Sequence, residues 1–297
     1  DQIPNPNWSL DIGHWSLADR WILSRHNRLI ANVTRLFERY QFGEAGRQIH
    51  DFFWGEYCDW YIEMAKIRLY GDDPQAADTA RQVLVHVLDR TLRLLHPFMP
   101  FVTEEIWQHL RGGRGEGREE SIMIAPWPEV DPSLIDAEAE AEMALIMELV
   151  RAIRNARADY EVEPGRRIAA IIAANGRRDL LAAQADVIAT LARVDPARLC
   201  IEEKLAEKPT QALTLVVGDV EAYLPLAGLV DLDRERERLA GEIADLDRQI
   251  ARLEGLLAQH DFVAKAPAHV VERERAKLTE YQGKRARLEE RLRSLEV

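Results

Sequence analysis

Cysteine is scarce in this chain of 297 residues: Cys58 and Cys200 stand far apart and form no CxxC pair. That excludes a disulfide framework and a cysteine zinc site, and it fits a reducing, cytoplasmic compartment. No apolar run approaches the roughly 20 residues that would span a bilayer, so no membrane partner is expected. Nothing at the N-terminus has the charged-then-apolar grammar of a secretory leader. Basic excess is missing too. A net charge of −12, from 39 Lys and Arg against 51 Asp and Glu, argues against non-specific nucleic-acid binding through bulk charge. It leaves room for a nucleic acid held by a few local basic groups. Neither a P-loop nor a GxGxxG after a strand occurs, so no nucleotide cofactor is expected on these residues. The chain opens with Asp1 in place of Met, which suggests a piece of something longer.

What is present is helix grammar. With 30% charged and 47% hydrophobic residues, the chain is long enough for two or three domains with cores of their own. The pattern predicts a mainly α fold: an antiparallel helical bundle, then a small α/β module, then a long antiparallel coiled-coil hairpin. Residues 1–18 read as an irregular linker, 19–132 as the bundle, 133–228 as the α/β module and 229–297 as the hairpin. In the bundle, Asp19 reads as the N-cap of a helix from Arg20 to about Tyr40, with Ile22, Leu29, Ile30, Val33 and Phe37 on one face. A second helix is expected from Phe42 to Leu69, and a third from Gln75 to Leu95, ended by His96-Pro97. Thr103 is expected to cap a short fourth helix, Glu104–Leu110. Four helices with short connections favour an antiparallel bundle.

Ile122 to Trp127 reads as a strand or extended clamp, and a long helix is expected from Pro132 or Ser133 to Tyr160. Beyond Pro164-Gly165 the period changes. Arg167–Ala174 suits a strand, Arg178–Leu191 a helix and Arg198–Glu202 a strand. Leu213–Val217 with Val220–Leu224 suits a hairpin turning at Gly218-Asp219. From Leu239 the apolar positions Ile243, Leu246, Ile250, Leu253 and Leu257 alternate steps of four and three. A matching seam returns through Val271, Leu278, Tyr281, Leu288, Leu292 and Leu295. The outgoing helix, Val230–Ala258, would be roughly 43 Å long at about 1.5 Å per residue. Residues 229–297 hold 14 basic against 15 acidic side chains, leaving 25 against 36 to the rest of the chain. The rod is thus nearly neutral. By periodicity alone it could equally pair with another protein as an adaptor.

Three segments carry a family signature: Asp19-Arg20-Trp21-Ile22-Leu23-Ser24-Arg25, Phe53-Trp54-Gly55-Glu56-Tyr57-Cys58-Asp59-Trp60-Tyr61, and His96-Pro97-Phe98-Met99-Pro100-Phe101-Val102-Thr103-Glu104-Glu105-Ile106-Trp107. In this order and spacing they resemble the anticodon-binding bundle of the class I aminoacyl-tRNA synthetases for valine, isoleucine and leucine. Gly218 to Gly228, the rod, and Phe262-Val263-Ala264-Lys265-Ala266-Pro267 resemble the C-terminal end of the bacterial valyl enzymes. The isoleucine enzymes commonly end in a cysteine-rich zinc module, and the leucine enzymes end in a different small domain. The resemblance implies tRNA, with tRNA-Val first, as the partner, catalytic and editing domains in the same longer chain, and a monomer. It implies ATP as cofactor of the full-length enzyme, but the His-Ile-Gly-His-like and Lys-Met-Ser-Lys-Ser-like motifs that hold ATP do not occur here. The fragment itself should be catalytically silent.

The candidate contacts follow from chemistry placed on that resemblance. Arginine forks suit phosphates and base edges, which marks Arg20, Arg25 and Arg28 on the first helix and Arg90 and Arg93 on the third. Their competing role is ion pairing with the abundant carboxylates. In the aromatic stretch, Phe53, Tyr57 and Tyr61 share a face suited to core packing, which leaves Trp60 and Trp54 as candidates to stack on unpaired bases. On the rod, where the family leans on the tRNA elbow, Arg248, Arg252, Lys265, Arg273, Arg275 and Lys277 are the expected backbone contacts. Intrahelical pairs with glutamate are the alternative for each. His96 reads as a helix-terminal hydrogen-bonding group and Asp72-Asp73 as turn chemistry.

Overall fold

The computed structural model describes residues 15–110, 121–226, 232–258 and 268–294. These fall into two compact units. One takes the described residues up to Ala156 with Arg167–Lys208 and Thr214–Tyr223; the other takes Arg157–Arg166, Pro209–Leu213 and the described residues from Leu224 onward.

Helix α1 spans Leu17–Glu38, and its cap is Ser16, three residues before the expected Asp19. The Ser16 hydroxyl accepts from the Asp19 amide at 3.3 Å, while the Asp19 carboxylate accepts from the Ser16 amide at 2.9 Å. This is a capping box, which satisfies two amides at the helix start reciprocally. Asp19 is also fully buried. It accepts from Arg68 through both guanidinium nitrogens, at 2.5 and 2.6 Å, and from the Tyr61 hydroxyl at 2.7 Å. Burial and the Asp19 carboxylate together push the Tyr61 phenol well above its usual range.

The expected second helix runs as three joined sections: α2 (Phe42–Phe52), a π-helical stretch (Phe53–Ile62) and α3 (Glu63–Leu69). A π turn closes one residue later than an α turn, a geometry seen mostly as single-turn bulges. Here it holds Phe53, Tyr57 and Tyr61 in a ladder, with ring centroids 5.7 and 6.1 Å apart. Both tyrosine hydroxyls then reach partners on other helices: Tyr57 donates to the Leu84 carbonyl at 2.9 Å, and Tyr61 to Asp19. Side-chain propensity gives no sign of such a turn.

Helix α4 (Pro74–Leu95) starts on Asp73, which accepts from the Gln75 and Ala76 amides, with Pro74 at the first helical position. Helix α5 (Pro100–Leu110) begins earlier than expected. Pro100 tolerates the first position, so Thr103 lies inside the helix and bonds back to the Met99 carbonyl at 2.8 Å. The His96 ring meets the Thr103 hydroxyl at 2.7 Å, a helix-end contact. Ile122–Ile124 is a 3₁₀ turn followed by extended chain. Ile122 packs with Leu92 and Trp107, and the Trp107 indole donates to Asp89 at 2.7 Å. Helix α6 (Ala137–Asp159) also starts later than expected. A separate 3₁₀ turn, Pro132–Leu134, precedes it, and Asp136 accepts from the Ala139 amide.

The sheet has four strands in the order β2-β1-β4-β3. They are β1 (Ile168–Ala173), β2 (Val194–Glu202), β3 (Ala212–Val217) and β4 (Val220–Pro225). Strand β1 pairs in parallel with β2 and antiparallel with β4. Two short helices, α7 (Arg178–Ala183) and α8 (Ala185–Ala192), make the crossover in place of the single expected helix. Pro196 falls in β2, an edge strand, near a register shift in which Ala170 pairs with Leu199; edges are where a strand tolerates proline. Gly218 turns the β3–β4 hairpin at φ 56°, a conformation cheap for glycine.

The hairpin arm comprises α9 (Leu232–Ala258) and α10 (Ala268–Ser294). Leu239, Ile250, Leu253 and Val271 are buried, and Ile243, Leu246, Leu257, Leu278, Tyr281 and Leu288 are half-buried, as the seam predicts. Arg285 donates to Asp247 and Gln282 to Glu254 across the pair, so partners advance on one helix as they recede on the other. Between Val271 and Leu278 on α10, Glu274 is held by Lys277 and Arg273. The tip residues Phe262, Val263, Lys265, Ala266 and Pro267 and the seam end at Leu295 lie outside the described residues, as does the side chain of Leu292.

Two stability predictions follow from buried groups. Asp19→Ala strands the Arg68 guanidinium in the interior and should cost about 3–5 kcal/mol in urea unfolding; Tyr61→Phe should cost about 1 kcal/mol. A D19A loss under about 1 kcal/mol would contradict the hub. His26 is fully buried, lies tilted against the Phe52 ring with centroids 5.5 Å apart and has its Nε2 3.3 Å from the Thr91 hydroxyl. Burial, with His86 and Arg90 beside it, holds its pKa well below the usual value, and burial with the Arg90 charge holds His86 at about 3. Both stay neutral when folded, so the unfolded chain binds more protons below about pH 6.5. Stability should therefore fall as pH drops below about 6.5, by about 1–2 kcal/mol per histidine by pH 5. A urea midpoint for His26→Leu as acid-sensitive as wild type would exclude His26 from that loss.

Candidate nucleic-acid interface

The arginines of α1 face carboxylates. Arg20 donates through Nε to Asp136 at 2.9 Å. Arg25 sets a two-pronged fork on Glu56, 2.7 Å on each side, with Glu140 at 3.7 Å. Arg28 donates to Glu140 at 2.6 Å, and the Ser24 hydroxyl donates to the same carboxylate. The fork on Glu56 keeps the Arg25 pKa above its ordinary value although burial opposes it. Burial pushes Glu140 up, but the bonds from Ser24 and Arg28 win and hold it below the usual carboxylate range. Arg25, Arg28 and Arg47 line a groove of about 300 Å³ with Gln48, Asp51 and Glu56. Arg47 is clamped between Glu44 and Asp51 at 2.6 Å, so each cation in the groove has an anion against it.

The other bundle candidates lie deeper. Arg93 pairs with Asp89 at 2.6 Å, and its Nη1 reaches the Pro126 carbonyl at 3.3 Å. Arg90 lies against the His86 ring, where burial and the Arg93 charge lower its pKa. Trp60, read from the sequence as a surface candidate, is buried at 5% exposure. The π-helical turn rotates it inward, and Arg151 and Arg154 of α6 cover its ring at 4.9 and 5.3 Å. Its face is unavailable to a base. Trp54 is 55% exposed.

On the arm, Arg248 pairs with Asp245, and Arg273 and Lys277 share Glu274. Arg252 and Arg275 are exposed and, among the described residues, have no carboxylate against them. Arg248, Gln249 and Arg252 lie side by side on one face of α9 with Asp245. Lys265 lies outside the described residues.

An aromatic end of the bundle did not stand out in the sequence. Phe37 meets Phe42, Phe98 and Trp127 at centroid distances of 5.3, 5.6 and 5.2 Å. Tyr40 and Phe101 are exposed beside their chain neighbours Phe42 and Phe98. The local signal was aromatics flanking a helix break and a Pro-x-x-Pro turn, but their meeting depends on how α1, α2 and α4 pack. Among the described residues, no three His, Cys, Asp or Glu side chains group to hold a metal.

This bundle, with its carboxylate-ordered arginines, is matched over residues 19–172 by a family model described as the anticodon-binding domain of tRNA ligase. That defines the class. Residues 231–296 match a second model, the valyl tRNA synthetase tRNA binding arm. A valine–tRNA ligase of Bacillus cereus is 48% identical over 284 residues, covering 96% of this chain and 32% of the relative. Those of Geobacillus stearothermophilus and Bacillus subtilis are 46% and 42% identical, each over 95% of this chain and 32% of the relative. The chain belongs to the valyl-tRNA synthetase family, as its anticodon-binding and arm region. It spans about a third of the length of the curated relatives it matches.

The two tryptophans separate packing from surface roles. Trp60→Ala should cost about 3–5 kcal/mol in urea unfolding, as loss of a buried aromatic does. Trp54→Ala should stay within about 1 kcal/mol of wild type. Equal costs would contradict the burial of Trp60.

Proposed function

We propose that this chain grips tRNA for a valine–tRNA ligase. The bundle holds the anticodon and the arm braces the elbow, so that the acceptor end is positioned for catalytic and editing parts of a longer chain. The observation that carries this reading is the presence, in one chain, of an anticodon-binding bundle and a valyl-type arm. Positioning of a bound reactant is itself catalytic, because a well-oriented encounter removes translational and rotational entropy from the barrier. ATP belongs, on this reading, to the catalytic part, and the natural setting is a monomer in the cytoplasm with tRNA-Val as substrate. The proposed working boundaries are a linker at 1–18, the bundle at 19–132, the α/β module at 133–228 and the arm at 229–297.

The proposed contacts are graded by their partners. Arg252 and Arg275 on the arm, with no carboxylate against them among the described residues, meet phosphates most readily; Arg248, Lys265, Arg273 and Lys277 are the other proposed contacts of the arm. On the bundle, Arg20, Arg25 and Arg28 bind by exchanging a carboxylate for a phosphate or base edge. Arg90 and Arg93 support the bundle from within.

Fluorescence titration of the 297-residue chain against purified tRNAs, with salt varied, tests the reading. Tighter binding of tRNA-Val than of other tRNAs is expected, weakening as salt rises. Arg252→Gln/Arg275→Gln should lower the slope of log K against log salt by about 1–2. Absence of tRNA binding at about 50 mM salt would overturn the reading. A stable dimer held through the arm seam would favour a protein-binding adaptor instead.

A further inference from the structure

The groove between α1 and α2 differs from a phosphate site in its charge. Arg25 meets Glu56 and Glu140, Arg28 meets Glu140, and Arg47 meets Glu44 and Asp51. Four carboxylates thus bond three guanidinium groups, and Arg35, which donates to the Asn32 side chain, brings the count level. A groove without net charge has nothing with which to draw a polyanion. A neutral polar ligand meets no such obstacle.

The polar groups left over are of mixed kind. Arg25, Arg28 and Asn32 fall at i, i+3 and i+7 on one face of α1, and Gln48 of α2 lines the same groove of about 300 Å³. Arg28 uses only its Nε, on Glu140 at 2.6 Å, and its two amino nitrogens make no hydrogen bond among the described residues. Asn32 accepts from Arg35 at 3.1 Å through Oδ1, which leaves its amide N–H groups without a partner among the described residues. Gln48 donates to Glu44 at 2.8 Å through Nε2, which leaves its carbonyl oxygen in the same position. Donors therefore stand on α1 and an acceptor on α2. Leu29 and Phe52, both buried, line the groove as well and give it an apolar wall.

We propose that this groove receives one unpaired base of the tRNA, its edge set between the donors of Arg28 and Asn32 and the Gln48 carbonyl. The inference rests on the tRNA reading above and deepens it, by naming a face of the bundle that reads a base. A base is uncharged, has apolar faces and carries donors and acceptors together on its edge, and single-stranded loops are where side chains reach such edges. The volume lies at the small end of ligand pockets, which run from roughly 300 to 1,000 Å³, so it suits a single base better than a run of nucleotides. The ion pairs have a second role. The Arg25 fork on Glu56 ties α1 to the π-helical stretch, so the groove is held in shape before a base arrives, which lowers the ordering cost of binding.

The test uses the full 297-residue chain and Asn32→Ala/Gln48→Ala, since both side chains bond only within their own helices. Binding of tRNA-Val is titrated at several salt concentrations, then repeated with tRNA-Val made abasic at one anticodon-loop position at a time. The variant should bind intact tRNA-Val about tenfold more weakly, the worth of one or two hydrogen bonds. The slope of log K against log salt should not change, because no phosphate contact is lost. On one of the abasic tRNAs, wild type and variant should bind alike. A Tm matching wild type excludes a folding defect; should the double variant melt early, the two single variants give the same comparison. A Kd equal to wild type on intact tRNA-Val overturns the proposal while the tRNA reading stands. So does a loss that persists on every abasic tRNA, or one that comes with a lower salt slope, which would assign the groove to the phosphate backbone. If wild type binds no tRNA, both fall.

Discussion

The buried carboxylate of Asp19 is the constraint around which the bundle is arranged. It closes the capping box that starts α1, takes both arms of the Arg68 guanidinium from α3, and accepts the Tyr61 hydroxyl from the π-helical stretch. A carboxylate removed from water is costly unless its oxygens are filled by donors. Here the Ser16 amide and hydroxyl come from its own helix start, and the others from across the bundle. The demand fixes more than a pairing. For Tyr61 to reach Asp19 while Tyr57 reaches the Leu84 carbonyl of α4, the helix between α2 and α3 must present two tyrosines four apart to two different neighbours. The wider π turn does this, and it turns Trp60 inward as a consequence.

That inward turn links the bundle to the α/β module. With Trp60 buried, its ring becomes the platform for Arg151 and Arg154, and Arg154 goes on to hold the end of α8. Cation–π contacts of this kind contribute on the order of 0.5–2 kcal/mol each, modest singly but directional. A residue inside the bundle thereby positions charge on the module.

The readable parts of the sequence were those governed by local rules. The 3.6-residue period gave α1 and α4, and alternating steps of three and four gave the arm seam with Leu239, Ile250 and Leu253 inward; Asp73, read as turn chemistry, caps α4 as well. Boundaries slipped where two local rules competed. Ser16 and Asp19 are both good caps, and the reciprocal pair of bonds decides in favour of Ser16. Pro100 can open a helix, so Thr103 was not needed as a cap. The π turn, the burial of Trp60 and the partners of the arginines depend on residues far along the chain: Asp136 lies 116 positions from Arg20, and Glu140 lies 112 from Arg28. Local patterning carries no trace of such pairs. That the candidate arginines could pair with carboxylates was therefore legible; which carboxylate each one meets was not.

On the proposed tRNA reading, that company bears on how an acidic protein can hold an acidic polymer. Attraction through net charge is unavailable at −12, and the long-range part of any field is screened within about 8–10 Å at ordinary ionic strength. What remains is short-range and geometric. An arginine bonded to a carboxylate must give up that bond before it can take a phosphate, so such contacts add little net energy but penalise a misplaced ligand. An arginine bonded to a carbonyl or laid on a ring keeps its charge and most of its donors, so it adds attraction at a fixed position. A surface combining both kinds would reject polyanions in general while accepting one whose phosphates fall in the right places. Selectivity of that sort needs rigid elements to hold the positions; the Asp19 hub and the Trp60 platform are such elements within the bundle, and the cross-helix pairs Arg285–Asp247 and Gln282–Glu254 fix the register of the arm by itself.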